Sequence, residues 1–276
     1  MRLIPPPLGH VLPKLLQVID ETRITMLSAG VAYFVFFSLL PLMVLLVAVG
    51  AHFLSQEEAM RRTQALIAEA FPHQRELVTS VLTGVVAQRK GAGIASALAL
   101  LWGSKNVFVS LSQAMNAIWQ VPGRPWLAET LRAIAAAALA GLLVGLAGSL
   151  TAALHAVMAH PLPLTGLRPE DLPGVVPLVA AIVPPVFTFL LLCALYAWLP
   201  NRQLRLGQVW LAAATATIVW EVTGMLFGLY LTHVARLSWV YGSLGGIVGL
   251  LMWLYVSATI VLAGVVLARA MLEAEA

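Results

Sequence analysis

The sequence predicts an all-α membrane protein: a bundle of six transmembrane helices with additional amphipathic helices at the membrane interface. Of its 276 residues, 61% are hydrophobic and 10% are charged, whereas soluble domains carry about 25% charged residues. The second observation is a series of six apolar runs. Each is long enough for a helix, rising 1.5 Å per residue, to cross a hydrocarbon core about 30 Å thick.

These six runs organise residues 1–276 as a single six-span domain. Their approximate bounds are Ala29–Leu54, Ala92–Met115, Leu131–Met158, Val175–Leu199, Val209–Val234 and Leu244–Met271. Residues 1–28 form an N-terminal segment, in which Leu12–Arg23 is predicted to be an interfacial helix. In the loop 55–91, apolar residues recur at helical spacing among charged ones, which predicts amphipathic helices at the outer membrane interface.

The distribution of Lys and Arg predicts the orientation. An even number of spans places both termini on one side, and positive residues near short loops stay in the cytoplasm. The N-terminal segment, the second and fourth loops and the C-terminus together carry eight Lys or Arg, whereas the third and fifth loops carry two. The long first loop adds five more on the outer side. The short loops therefore predict that both termini are cytoplasmic.

Two ionisable residues lie deep inside apolar runs. Lys105, followed by Asn106, is near the middle of the second run, and Glu221 is near the middle of the fifth. Because a charge at the bilayer centre costs about 3 kcal/mol on insertion scales, such residues usually face the bundle interior or a watery cavity. We expect Lys105 and Glu221 to pair, either as a proton or substrate switch or as a fixed structural lock. Asn106 and Asn116 would extend a polar lining or form helix–helix hydrogen bonds.

Aromatic residues occur on the same runs. The candidates for an aromatic cavity are Tyr33, Trp102, Trp220, Tyr230, Tyr241 and Trp253. Together with Glu221, such a cavity would suit an organic cation through the ring quadrupoles. Tryptophans at the ends of the runs are typical of an interfacial belt; they are Trp119, Trp126, Trp198, Trp210 and Trp239.

Prolines and glycines suggest two further features. Pro184 and Pro185 remove backbone hydrogen bonds in mid-run and predict a kink or break in the helix. Broken helices often line transport sites, although a kinked structural helix fits the same residues. Four pairs of glycines lie one turn apart, a spacing that allows close helix contact. They are Gly141 with Gly145, Gly224 with Gly228, Gly242 with Gly246, and Gly245 with Gly249. We favour packing inside the monomer, and contact between copies in a homo-oligomer is the alternative.

The sequence offers little for catalysis, metal binding or nucleic-acid binding. It contains no phosphate-binding G-x-x-x-x-G-K loop, no H-E-x-x-H helix, no G-x-S-x-G turn and no paired-cysteine zinc pattern. Five of the six histidines fall on the predicted outer side without close ligand spacing. The basic residues are scattered and form no basic face. We therefore expect no enzyme activity, cofactor, metal or nucleic-acid partner; the expected partners are the lipid bilayer and a small-molecule or lipid substrate.

Several segments resemble the YihY/BrkB family of bacterial inner-membrane proteins. They are Ala29–Tyr33 with Ser38–Pro41; Trp102, Ser104 and Asn116–Trp119; Trp220, Glu221, Phe227 and Tyr230; and Tyr241–Gly245 with Trp253–Tyr255. The resemblance covers nearly the whole chain in order and spacing. One departure is that Gly264 is followed by Val265 and Val266, where the family often has Gly-Ala-Glu.

The resemblance implies six spans in the bacterial inner membrane, with cytoplasmic termini. Some family members carry an old ribonuclease label, others are linked to serum resistance, and transport of small solutes or lipids has been proposed. From the residues and the resemblance together, we expect a transporter or exporter of a small organic solute, such as a zwitterion or organic cation, or of a lipid-like molecule. The alternative is a non-transporting structural or envelope-assembly protein.

Overall fold

A computed structural model describes residues 8–53, 89–159, 175–233 and 245–275. Side chains are described within those ranges at 13–38, 102–151 except 104, 178–230 except 180, and 247–274. These ranges form seven helices and no strand. The helices are α1 Leu8–Glu21, α2 Ile24–Phe53, α3 Arg89–Ile118, α4 Trp126–Ala159, α5 Val175–Trp198, α6 Leu206–His233 and α7 Gly245–Glu275.

Each predicted span corresponds to one of the helices α2 to α7, and the predicted N-terminal helix corresponds to α1. Four helices contain apolar segments long enough to cross a membrane: Trp126–Thr151, Ala181–Trp198, Leu206–Leu229 and Ile247–Ala274. A shorter apolar segment, Ile24–Ser38, lies in α2. The amphipathic helices predicted in the loop 55–91 lie outside the described residues, except for its last three positions, which begin α3.

The chain divides into two compact units. The first consists of Met1–Thr22, Met115–Thr223 and Ile260–Ala276, and the second of Arg23–Ala114 and Gly224–Thr259. In the first unit α4 packs against α5. The core of this unit is formed by large side chains that are almost completely buried, among them Met115, Ile118, Tyr196, Leu199 and Leu262.

In the second unit, α2 and α3 approach each other closely through small residues. A Cβ atom at Gly103 would lie 3.1 Å from the Cβ of Ser38, and one at Gly30 would lie 3.8 Å from the Oγ of Ser110. Because residue numbers rise along one helix as they fall along the other, the two helices are antiparallel. Small residues at such contacts let the helix backbones approach.

Helix α3 ends in a Schellman motif around Gln120. The Val121 N–H donates to the Asn116 carbonyl oxygen at 3.0 Å, and the Gln120 N–H donates to the Ala117 carbonyl oxygen at 3.2 Å. Gln120 has φ of 53°, which is the left-handed conformation that glycine usually supplies at this position. The chain therefore turns sharply into the loop that leads to α4.

We expect Gln120→Gly to stabilise the protein. Glycine adopts the left-handed conformation without the steric cost of a Cβ atom, so the gain should be about 0.5 to 1 kcal/mol. The exposed Gln120 hydrogen bond to Glu21, at 3.3 Å, would be lost at small cost. Thermal unfolding in detergent measures the change, with Gln17→Gly inside α1 as a destabilising control. An unfolding midpoint below that of the parent would contradict this interpretation of the turn.

The predicted glycine contacts and the predicted proline kink lie partly within the described residues. Among the described residues, a Cβ atom at Gly224 would lie 3.5 Å from Trp253, whereas one at Gly141, Gly145 or Gly228 would meet nothing within 4 Å. Of these four glycines, Gly224 alone shows the expected packing inside the monomer. Helix α5 continues through Pro184 and Pro185. The Thr188 hydroxyl donates to the Pro184 carbonyl oxygen at 3.1 Å, which adds a side-chain hydrogen bond beside the prolines.

Candidate functional site

The two predicted central charges lie near the middle of long helices. Lys105 belongs to α3 and to the second unit, whereas Glu221 belongs to α6 and to the first unit. Both side chains are half-buried, and so is that of Asn106. Their pairing across the two units stays a prediction.

Part of the predicted aromatic set forms a cluster in the second unit. The ring centroids of Phe227 and Trp253 are 5.1 Å apart, and those of Phe227 and Tyr230 are 6.3 Å apart. A Cβ atom at Gly224 would lie 3.5 Å from Trp253, which is an ordinary van der Waals distance, so the Trp253 ring lies against α6 at this position. The rings of Tyr230 and Trp253 both lie next to the ring of Phe227, which was not among the predicted cavity residues.

The other predicted aromatic residues are placed differently. Tyr33 is 55% exposed and packs on Phe37, with ring centroids 4.7 Å apart, and Trp102 is 63% exposed. Trp220 is half-buried on α6, one residue before Glu221. Tyr241 lies outside the described residues.

The second unit also buries two serine hydroxyls that the sequence analysis did not select. Ser28 is 0% exposed and Ser257 is 6% exposed. Among the described residues, neither hydroxyl oxygen has a hydrogen-bond partner. A buried hydroxyl without a partner is costly, so these two groups are unusual polar positions inside the second unit. Serines are common in helices of this kind, and their spacing gave no signal.

The structure places Asn116 at the end of α3. Its side-chain oxygen accepts a hydrogen bond from the Asn201 backbone N–H at 2.6 Å, and the Asn201 side chain donates to the Pro122 carbonyl oxygen at 2.9 Å. The Asn116 side-chain nitrogen is buried and has no partner among the described residues. Asn116 thus ties the loop after α3 to the loop after α5.

Two arginines cap the C-terminal end of α5. Arg132 donates to the Trp198 carbonyl oxygen at 3.0 Å, and Arg124 donates to the carbonyl oxygens of Leu199 and Pro200 at 2.9 and 2.6 Å. These carbonyls follow the last helical hydrogen bonds and would otherwise lack partners. Positive charge is also favourable at a helix C-terminus. The two arginines therefore fix the end of α5 against the start of α4.

Arg124 is itself held in a buried position beside Glu129. The nearest atoms of the two side chains are 3.7 Å apart, and both side chains are about a tenth exposed. Burial lowers the pKa of Arg124 and the Arg132 cation lowers it further, while Glu129 opposes both effects. Arginine stays charged in proteins despite such shifts, so Glu129 is the local counter-ion.

Arg269 near the end of α7 makes a second polar junction in the first unit. Its guanidinium donates to the Ile118 carbonyl oxygen at 2.7 Å, to Glu273 at 2.6 Å and to Glu21 at 3.1 Å. The side chain is 8% exposed. Arg269 thereby joins α7 to the ends of α1 and α3, and we call this group the Arg269 junction.

From the sequence alone, these arginines were interpreted only as topology signals. Their backbone acceptors lie 66 to 151 residues away in the chain, so no local spacing identifies them. A usable signal was present at Arg269, because it interrupts an apolar run and has Glu273 four residues later. That spacing places the two side chains on one helix face.

Comparisons with known proteins agree with the helical membrane architecture. The family model described as virulence factor BrkB matches residues 15–276. A ribonuclease-like protein, YfkH, of Bacillus subtilis is 27% identical over 251 residues, covering 86% of each chain. A UPF0761 membrane protein of Idiomarina loihiensis is 28% identical over 210 residues, covering 74% of this chain and 70% of the relative.

A UPF0761 membrane protein of Vibrio parahaemolyticus is 25% identical over 262 residues, covering 95% of this chain and 82% of the relative. No solved structure matches the chain. The family match extends over nearly all of the chain and includes α2 to α7. The chain is a membrane protein and belongs to the BrkB virulence factor family.

Proposed function

We propose that this protein is a six-span inner-membrane transporter or exporter, with both termini in the cytoplasm. Its substrate would be a small organic solute, such as a zwitterion or organic cation, or a lipid-like molecule. The observation that carries the proposal is the position of Lys105 and Glu221, half-buried near the middle of long helices. Ionisable residues at such depth commonly mark substrate or proton pathways.

The aromatic cluster supports the same proposal. Phe227, Tyr230 and Trp253 provide ring faces in the second unit, and aromatic faces attract organic cations. The ribonuclease-like name belongs to the Bacillus subtilis relative. We propose no nuclease activity for this chain.

A double-mutant cycle tests the central charges. We expect Lys105→Met alone and Glu221→Leu alone each to lower the unfolding midpoint, because each strands one charge; breaking a buried pair typically costs about 3 to 5 kcal/mol. The variant with both substitutions should regain stability and still fail to transport if the pair is a switch. Thermal unfolding in detergent and solute flux in membrane vesicles give the two measurements, and Lys14→Met in α1 is a matched control.

The transported solute for this assay comes from an untargeted comparison of metabolites and lipids in cells with and without the protein. If the double variant transports normally, the pair is a structural lock rather than a switch. If all variants match the parent in stability and flux, Lys105 and Glu221 do not interact and the central-charge proposal fails. The cycle reports coupling between the two positions, not the energy of one contact.

A further inference from the structure

The arginine and tryptophan residues around the end of α5 form a surface that the proposed transport does not use. Arg132 lies over the ring of Trp198, with its Cζ atom 5.1 Å from the ring centroid, and Arg202 lies over Trp119 at 4.6 Å. Trp198 is 38% exposed and Arg202 is exposed. We call these four residues, together with Trp126, the Arg–Trp surface.

The Arg–Trp surface lies at the boundary of three apolar segments. Trp126–Thr151 begins there, Ala181–Trp198 ends there, and Leu206–Leu229 begins a few residues later. The end of an apolar segment is the level at which lipid headgroups meet a membrane protein, and tryptophan is enriched there. The Arg–Trp surface is therefore placed at headgroup depth.

The charged residues of this region are mostly positive. Segments 119–132 and 198–210 contain four arginines and a single acidic residue, Glu129. Glu129 is buried beside Arg124, which in turn donates to two carbonyl oxygens. The remaining positive charge belongs to Arg132, Arg202 and Arg205. The hydrogen bond from Arg132 to Trp198 uses one of the five N–H donors of a guanidinium.

An apolar flank continues from this surface along α4. Trp126, Leu127 and Leu131 are 74%, 61% and 60% exposed, and the segment Trp126–Thr151 is 11% buried inside the protein. Acyl chains would pack along this flank while a phosphate group lies against the guanidiniums. Arginine suits this role because its planar fork can donate two hydrogen bonds to one phosphate.

We propose that the Arg–Trp surface is a binding site for an anionic phospholipid. Arg132 and Arg202 contact the phosphodiester, and the outer face of α4 contacts the acyl chains. The chemistry specifies a headgroup of net negative charge joined to acyl chains, as in phosphatidylglycerol or cardiolipin, rather than a zwitterionic lipid or a free phosphate. The site does not depend on the identity of a transported solute.

Native mass spectrometry of the purified protein with phosphatidylglycerol, phosphatidylcholine or glycerol phosphate tests the site. We expect the parent to retain phosphatidylglycerol in preference to phosphatidylcholine and to bind no glycerol phosphate. An arginine near a membrane surface attracts anionic lipid. Arg132→Gln with Arg202→Gln should therefore weaken phosphatidylglycerol binding by about tenfold or more, and phosphatidylcholine binding by less, because its choline cation already offsets the phosphate.

Two variants separate the lipid site from the structural role of Arg132. Arg202→Gln leaves all three cap hydrogen bonds at the end of α5 in place, so it should weaken phosphatidylglycerol binding without shifting the unfolding midpoint. Arg23→Gln removes an exposed arginine of the second unit and is the matched control, with unchanged binding expected. Equal retention of the two lipids by the parent would overturn the proposal. The proposal would also be overturned if the Arg202→Gln variant or the double variant bound phosphatidylglycerol as strongly as the parent does.

Discussion

Replacing Gly264 with alanine should destabilise the first unit strongly, and replacing it with valine should prevent folding. A Cβ atom at position 264 of α7 would overlap the hydroxyl oxygen of Tyr196 on α5. It would also lie 2.8 Å from the Tyr196 Cζ and 3.0 Å from the Cβ of Ala216 on α6. Three helices thus meet where Gly264 has no side chain.

Tyr196 cannot move aside easily. It is 1% exposed, and its hydroxyl donates to the Val261 carbonyl oxygen at 2.7 Å. Turning the ring would break this hydrogen bond, worth about 0.5 to 1.5 kcal/mol, and would displace packed neighbours. Overpacking a core typically costs about 1 to 3 kcal/mol, and for Gly264→Ala we expect a loss at or above the upper end of that range.

The thermal unfolding midpoint in detergent measures this effect. Gly148→Ala on α4 is a matched control, since a Cβ atom there would meet nothing within 4 Å and alanine favours a helix over glycine by about 1 kcal/mol. Adding Tyr196→Phe to Gly264→Ala should recover part of the loss, because it removes the overlapping oxygen while the Cζ contact persists. A Gly264→Ala protein that melts at the parent's temperature would contradict the close packing described here.

The helices of this protein could be predicted well from the sequence, and their contacts could not. Helix α5 was predicted at Val175–Leu199 and is found at Val175–Trp198, because a long apolar run bounded by polar turns fixes a membrane helix almost alone. The position of Gly264 against Tyr196 depends on how α5 and α7 are rotated. Apolar residues surround both helices, so hydrophobic periodicity does not specify that rotation.

In the candidate site too, residues could be selected from the sequence, whereas their contacts could not be predicted. Lys105 and Glu221 could be selected because a charge in an apolar run is unusual, but a partner in another compact unit cannot be read from one sequence. Trp119 was expected in an interfacial belt and is instead 4% exposed beneath Arg202. Whether an indole at a helix end faces lipid or a neighbouring loop depends on the turn that follows, here the left-handed turn at Gln120.

The second large effect is expected at the Arg269 junction. Arg269→Met would leave the Ile118 carbonyl oxygen and the Glu21 carboxylate without the guanidinium that now binds them. Breaking a buried ion pair typically costs about 3 to 5 kcal/mol. Glu21 and Glu273 are 35% and 34% exposed, so water replaces part of what is lost. We therefore expect destabilisation of about 2 to 3 kcal/mol, near the value of hydrogen bonds to charged groups.

The variant should also loosen α1, because Glu21 is its last residue and Arg269 holds it to α7. Hydrogen exchange of the α1 amides should therefore increase more than exchange in α5, which the junction does not touch.

Arg269→Lys keeps the charge but cannot reproduce the guanidinium fork, so it should restore only part of the stability. Glu273→Gln is the matched control; its i,i+4 pair is exposed enough to contribute about 0.5 kcal/mol or less. If Arg269→Met and Glu273→Gln lower the unfolding midpoint equally, and α1 exchange is unchanged, the junction does not hold α1 and Arg269 acts within α7 alone.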